Sequence, residues 1–347
     1  MKGFLFPLFF GLGLTGFTTF AALETFVIED GNAVEVIDDY DSKTNNSSNN
    51  NQNNNQNPGT NPVDPVDPVD PIDPPKPEEL GDLPYEYKSD TLDIKIFKEN
   101  IKVKHMTQNK QMDTIVYCAD VTILDKDFNH LRGRFAKGSY DTPHFGRNIE
   151  DKTSDIAVDG NAIFAISGDN YGKQEKGYVV RNGEEFRNTV NSNGREDLVI
   201  WKDGSFGTFK EYNVPLESVM NANYRGGPWQ VFSFGPALVV DSQINVSETD
   251  EVKVFTKEIG NQRCSIGILE PFHYFIAICD GRLADSYGMS LYEAGMFMRN
   301  HGCKIAYNLD GGGSATIWYQ GKVLNRPNTY GDNDIGERKI SDIILFK

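Results

Sequence analysis

Positive charge is scarce in this chain. Its 347 residues include 34 lysines and arginines against 50 aspartates and glutamates, for a net charge of −16. Nucleic-acid binders neutralise phosphates with clustered basic side chains, so nucleic acid is not expected as a partner. Cysteine is thin as well: Cys118, Cys264, Cys279 and Cys303 stand far apart, with no C-x-x-C pair. That removes the spacing of a zinc site or a disulfide framework, and each is expected as a buried thiol. Histidine is limited to five residues. No Ser-His-Asp or Cys-His order, H-E-x-x-H or phosphate-loop pattern appears, and His144 and His273 read as surface or core side chains.

What is present begins with an export signature. Lys2 precedes Phe4 to Ala22, an apolar run with no charge, about as long as a membrane-spanning helix requires. Residues 1–25 are therefore expected to be a signal peptide or a membrane anchor, with acidic residues after it orienting the rest outward. The expected location is extracellular or cell-surface, with membrane contact through this segment where it stays uncleaved. Asparagine then dominates Thr44 to Asn57, and Pro62 to Pro75 repeats a Pro-Val-Asp unit. Such sequence cannot bury enough apolar surface to offset chain entropy, so residues 26–84 are expected to form a disordered linker. The proline repeat favours an extended spacer of ~3.1 Å per residue.

From Tyr85 the composition becomes globular. Leu92–Phe97, Ile101–His105 and Thr114–Leu124 alternate apolar and polar residues as strands do. Asn182-Gly183 and Asp203-Gly204 are hairpin turns, and Gly235-Pro236 should bend an apolar run. Thr153–Asp159 suits a short helix. Ser290–His301 suits a longer one, with a Ser290/Glu293 capping box, Gly302 to end it, and Leu291, Ala294 and Met298 facing the core. The expected fold is α+β, mixed β-sheets with few helices, in a single catalytic domain over residues 85–347 after the disordered stalk.

Three buried strands end in polar or glycine-rich loops: Ser167-Gly-Asp-Asn-Tyr171, Asp280-Gly-Arg282 and Asn308-Leu-Asp-Gly-Gly-Gly-Ser314. Three glycines between two strands cost conformational entropy, which is tolerated where the backbone takes positive φ or touches a ligand. Convergent ends would gather Asp169, Asn170, Asp280, Arg282, Asn308 and Asp310 around one cleft. Arg282 would hold a phosphate by a two-pronged contact, and the carboxylates would act as base, nucleophile or stabiliser of an oxocarbenium-like carbon. Plainer roles stand beside these. Asp280 and Arg282 also fit a turn with an ion pair, Glu293 fits a capping acid, Arg181 a hairpin end, and Arg263 opens another strand.

Ala162–Gly172, Gly177–Gly183, Gln230–Val240, Arg263–Gly267, Asp280–Arg282 with Leu291–Met298, Asn308–Thr316 and the tail Glu337–Asp342 occur in an order that resembles the phosphodiester glycosidase family. That family includes N-acetylglucosamine-1-phosphodiester alpha-N-acetylglucosaminidase and bacterial exopolysaccharide-biosynthesis-type proteins. The resemblance implies cleavage of a sugar-1-phosphodiester between the anomeric carbon and the phosphate oxygen. It implies catalytic roles among Asp169, Asp280, Glu293 and Asp310, and substrate binding by Arg181, Arg282, Asn308, Gly311, Gly312 and Ser314. The implied substrate is a phospho-glycan or wall polymer. Two positions depart from the family: Ser167-Gly-Asp-Asn-Tyr171 replaces a usual Asn-Gly-Asp-Tyr, and Cys264 replaces a usual threonine. No cofactor is established. A non-catalytic glycan-binding module is the first alternative. The second is a metal-dependent phosphodiesterase with Asp169, Asp280 and Asp310 around a divalent cation.

Overall fold

Strands carry most of the structure because apolar residues alternate along them and are claimed from both faces. The strand His273–Cys279 shows this best. Tyr274, Ile276 and Ile278 join one core cluster, while Phe275, Ala277 and Cys279 join another. Successive side chains point to opposite faces, so a strand packed on both sides reads as a continuous apolar run. Truncating such a side chain, as in Ile276→Ala, is worth about 2–5 kcal/mol.

The computed structural model describes residues 82–105, 108–192, 194–249 and 260–347, all within one unit, Asp70–Lys347. The expected export segment, residues 1–25, lies outside the described residues, as does the expected linker up to residue 81; Leu83, near its end, packs against the main core. Three antiparallel sheets organise the unit. An eight-stranded sheet runs, in spatial order, from Tyr85–Lys88 through Leu92–Lys104, Gln111–Ile123, His273–Cys279, Cys264–Glu270, Ile305–Leu309 and Ala237–Val240 to Gln243–Ile244. A five-stranded sheet holds Glu184–Arg187, Val179–Arg181, Pro228–Phe232, Asp197–Trp201 and Phe206–Phe209. The third, also five-stranded, holds Lys322–Val323, Ile317–Tyr319, Phe164–Ser167, Asp342–Phe346 and Leu131–Phe135. The main core draws on all three, through Ile266 and Ile276, Leu198 and Phe232, and Phe164 and Phe346.

The expected sheets with few helices are found. The helices among the described residues are Thr153–Asp159, Leu216–Met220 and Leu291–Asn300, with short 3-10 turns. Leu291–Asn300 has the expected capping box and packs Leu291, Ala294 and Met298 against Val239, Phe275 and Ala306. Both hairpins form at the expected turns. Gly235, at φ +68°, marks the bend where Pro228–Phe232 leaves one sheet and Ala237–Val240 enters another. The four cysteines are buried and free. One expectation changes: Leu92–Phe97 and Ile101–His105 are a single strand, Leu92–Lys104, paired along its length with Gln111–Ile123. Lys98 to Asn100 continue that ladder despite their polarity. Main-chain bonding to the neighbour outweighs the weak local propensity.

Candidate functional site

The three strand ends meet through their main chains. Asp310 N donates to Gly168 O at 3.0 Å, and Gly312 N donates to Gln262 O at 3.0 Å. Gln262 Nε2 in turn donates to Gly281 O at 3.1 Å. The approach is close enough that a Cβ on Gly281 would sit 2.8 Å from Gln262 N. The carboxylates, however, are divided among different partners.

Asp169 belongs to a sealed cluster. Arg181 Nη2 lies 3.0 Å from Asp169 Oδ1, and Arg181 Nε lies 2.7 Å from Asp342 Oδ2. Asp169 also accepts from Tyr171 N at 3.1 Å and Ser233 N at 3.0 Å, while its own N–H donates to Asp342 Oδ1 at 3.2 Å. Arg181 Nη1 donates to Val180 O and Val231 O. Arg181 and Asp169 are each 1% exposed and Asp342 is 0% exposed. Gly133 makes room for the arginine, since a Cβ there would lie 2.5 Å from Arg181 Cδ. Burial, with Asp169 beside it and Arg181 opposing, pushes the Asp342 carboxyl up to about 7. Burial disfavours the charge on Arg181, but the two carboxylates outweigh it and hold the guanidinium above its ordinary value.

Asp280 is also enclosed. Its oxygens accept from Arg326 N at 2.9 Å and Arg326 Nε at 2.8 Å, and Arg326 Nη1 reaches Asp285 at 3.0 Å. Burial raises the Asp280 pKa against the pull of Arg326. Glu293 has both oxygens engaged: Oε2 accepts from Ser290 N and Oγ at 3.0 and 3.1 Å, and Oε1 accepts from Lys104 N at 2.6 Å. Asn308 is buried, and its Nδ2 donates to Gly235 O at 2.9 Å, tying its strand to the bend. No three His, Cys, Asp or Glu side chains among the described residues converge as metal ligands.

The remaining candidates form an open site. Asp310 Oδ2 lies 3.3 Å from Arg338 Nη2, and Arg338 Nε donates to Ser314 Oγ at 3.0 Å. Arg338 Nη2 also donates to Gly311 O at 3.1 Å. Arg282 Nη1 donates to Thr329 O at 2.7 Å and Nη2 to Asn261 Oδ1 at 2.6 Å. Gly312, at φ +60°, is where the two guanidinium groups come together. A Cβ there would lie 3.6 Å from both Arg282 Nη atoms and 3.8 Å from Arg338 Nη1. Glycine suits the left-handed backbone of the position, and a Cβ there would be in ordinary contact with both guanidinium groups. Burial lowers the Arg282 pKa, and the nearby positive charges of Arg338 and Arg263 lower it further. Burial raises that of Asp310 against Arg338 and Ser314. Arg282 itself holds φ +59°, a strained backbone for a side-chain-bearing residue. Asn261 is buried, and its Nδ2 has no partner among the described residues, although its other end holds Arg282.

A model of the phosphodiester glycosidase family matches residues 152–347. The chain belongs to the phosphodiester glycosidase family. The matched span contains every residue of both clusters, from Asp169 to Asp342. Among individual relatives, the SPbeta prophage-derived uncharacterized protein YomE of Bacillus subtilis (strain 168) is 25% identical over 187 residues, 52% of this chain and 28% of the relative's own length. The catalytic domain of zebrafish N-acetylglucosamine-1-phosphodiester alpha-N-acetylglucosaminidase, in a form auto-inhibited by its pro-peptide, has a similar fold. It gives a TM-score of 0.56 at 20% identity, over 74% of this chain and 84% of that domain. A hypothetical protein from Synechocystis gives 0.51 at 13% identity, over 76% and 64%.

Asp342, Arg338, Arg326 and Asn261 were not singled out from sequence. Arg338 and Asp342 lie inside the tail that helped carry the family resemblance, and an acid at the head of the wholly buried strand Asp342–Phe346 was a usable signal. Asn261 and Arg326 offered none, because their partners come from distant segments.

Proposed function

We propose that the protein hydrolyses a sugar-1-phosphodiester by C–O cleavage at the site built from Asp310, Arg282, Arg338 and Gly311–Ser314. The observation that carries this reading is the approach of two guanidinium groups to Gly312, with one carboxylate beside them, in an otherwise acidic chain. An arginine fork matches two phosphate oxygens, and two such groups suit an anion whose charge grows during the reaction. A water oxygen attacks the anomeric carbon and its proton passes to Asp310. The bond from that carbon to the phosphate oxygen breaks with its electron pair going to the phosphate. The products are the free sugar and a phosphate monoester. Most glycosidases need a second carboxyl group as acid for an alcohol leaving group. A phosphate is a weak enough base to leave without one, which fits an open site holding a single carboxylate. In this reading Arg181, Asp169, Asp280 and Glu293 hold the scaffold, while Asn308 steadies the strand that carries Asp310.

We further infer an extracytoplasmic setting with a wall or capsule phospho-glycan as substrate, on the strength of the uncharged run Phe4 to Ala22 and the stalk sequence after it. The Ser167 departure bears on the glycan-binding alternative. Ser167 is 0% exposed at a strand end, and its Oγ faces Thr316 N at 3.5 Å, so the change falls on packing and not on the arginine pair. The test is turnover of an N-acetylglucosamine-1-phosphodiester by the full chain in ¹⁸O water. Label in the free sugar is expected. Label in the phosphate would mean P–O cleavage, and binding without turnover across a panel of sugar-1-phosphodiesters would favour the binding module.

A further inference from the structure

Tyr330 is 89% exposed, although the loop that carries it is tied down. Thr329 N donates to Asp334 Oδ2 at 3.2 Å, and Gly331 N donates to Asn328 Oδ1 at 2.9 Å. Asp334 N donates to Gly331 O at 3.0 Å, and Gly336 N closes the loop on Pro327 O at 2.7 Å. Asn328 is 0% exposed and anchors the base through Gly281 O at 3.0 Å. Single exposed apolar side chains are ordinary on protein surfaces. Two features set Tyr330 apart. The first is where the loop is fastened: Thr329 O is the acceptor for Arg282 Nη1 at 2.7 Å, and a Cβ on Gly331 would lie 3.0 Å from Arg282 O. Tyr330 therefore follows directly on the residue that bonds the phosphate-side arginine, on a loop that runs close to its main chain. The second is its company: Ile335, on the same loop, is 54% exposed and bridges to Asn328.

We propose that Tyr330, with Ile335 on the same loop, is a stacking platform for the sugar ring of the substrate whose phosphate lies on Arg282 and Arg338. This rests on the functional reading above and extends it to the sugar. A pyranose presents an apolar C–H face and a polar edge, and a tyrosine ring carried on the loop that bonds Arg282 offers the apolar face a partner while the arginines take the phosphate. Because the loop is already ordered and the ring already in water, covering it with a sugar adds burial at little cost in chain entropy. The platform sets preference for a ring next to the phosphate, whereas the arginines respond to the phosphate alone.

The experiment measures equilibrium binding of two probes, N-acetylglucosamine-1-phosphate and inorganic phosphate, to the full chain and to Tyr330→Ala and Tyr330→Phe. An exposed position leaves folding unaffected. Tyr330→Ala is expected to weaken the sugar phosphate about tenfold and inorganic phosphate less than about twofold, with Tyr330→Phe close to the parent for both. Equal weakening of both probes, no weakening of the sugar phosphate, or a parent that binds neither probe would overturn the platform. Turnover is read separately by the oxygen-label experiment. An inactive protein that still shows the ring-dependent difference keeps the platform and loses the hydrolase.

Discussion

The Arg181 cluster and the Arg338 cluster use the same two functional groups, drawn partly from one short tail segment, and differ in access to water. In the first, the arginine and both carboxylates are at most 1% exposed, and every member is bonded by main chain as well as by side chain. In the second, the Arg338 side chain is 44% exposed while Asp310 beside it is 8% exposed. A cluster closed off from water gives a ligand no way in, and its removal leaves buried charge behind. An open arginine over a nearly buried carboxylate has both reach and a perturbed acid. In the proposed reading, identical residue types act as scaffold in one place and as candidate chemistry in the other, and the exposure of the arginine separates the two.

The largest effect should come from breaking the sealed cluster. Arg181→Met leaves Asp169 and Asp342 without their cation and is expected to cost about 3–5 kcal/mol of stability, read by denaturant unfolding. An Arg181→Met protein of normal stability that has lost turnover would break the comparison. Next, Asp310→Asn is expected to lower kcat about 10²–10⁴-fold without lowering the unfolding midpoint. Gly312→Ala should have a mixed effect: about 1 kcal/mol from a side chain at φ +60°, and a raised KM because the new methyl group enters the space the two guanidinium groups face.

A further effect concerns pH. The Asp342 carboxyl is pushed up to about 7 from an ordinary 3.8 in the unfolded chain, so the folded protein holds a proton that the unfolded chain has released. Stability from this group is fully present below the ordinary value and is lost as pH rises from about 4 to about 7. Asp280, Asp310 and Asp197, raised mainly by burial, contribute with the same sign. Chemical denaturation at pH 5 and pH 8 should therefore show lower stability at pH 8, and Asp342→Asn should reduce the difference.

Much of this arrangement was legible in the sequence because it is local. The capping box of Leu291–Asn300, the two hairpin turns and the bend at Gly235 each depend on residues within a few positions of one another. The family assignment followed from segments in consistent order. What sequence left open was the division of the carboxylates. Asp169, Asp280, Glu293 and Asp310 look alike as acids near strand or helix ends, and the partners that separate them arrive from far along the chain. Asp169 pairs through Arg181 with Asp342, Asp280 with Arg326, and Glu293 with the main chain of Lys104. Their partners distinguish them, and those partners depend on three sheets coming together.

The most direct measurement is a side-by-side comparison of Asp310→Asn and Asp169→Asn in the full chain, recording kcat for a sugar-1-phosphodiester and the denaturant midpoint for each. Asp310→Asn should lose turnover without a lowered midpoint, and Asp169→Asn should lower the midpoint while the protein that remains folded keeps turning over substrate. A stable, inactive Asp169→Asn beside an active Asp310→Asn would place the chemistry in the sealed cluster instead.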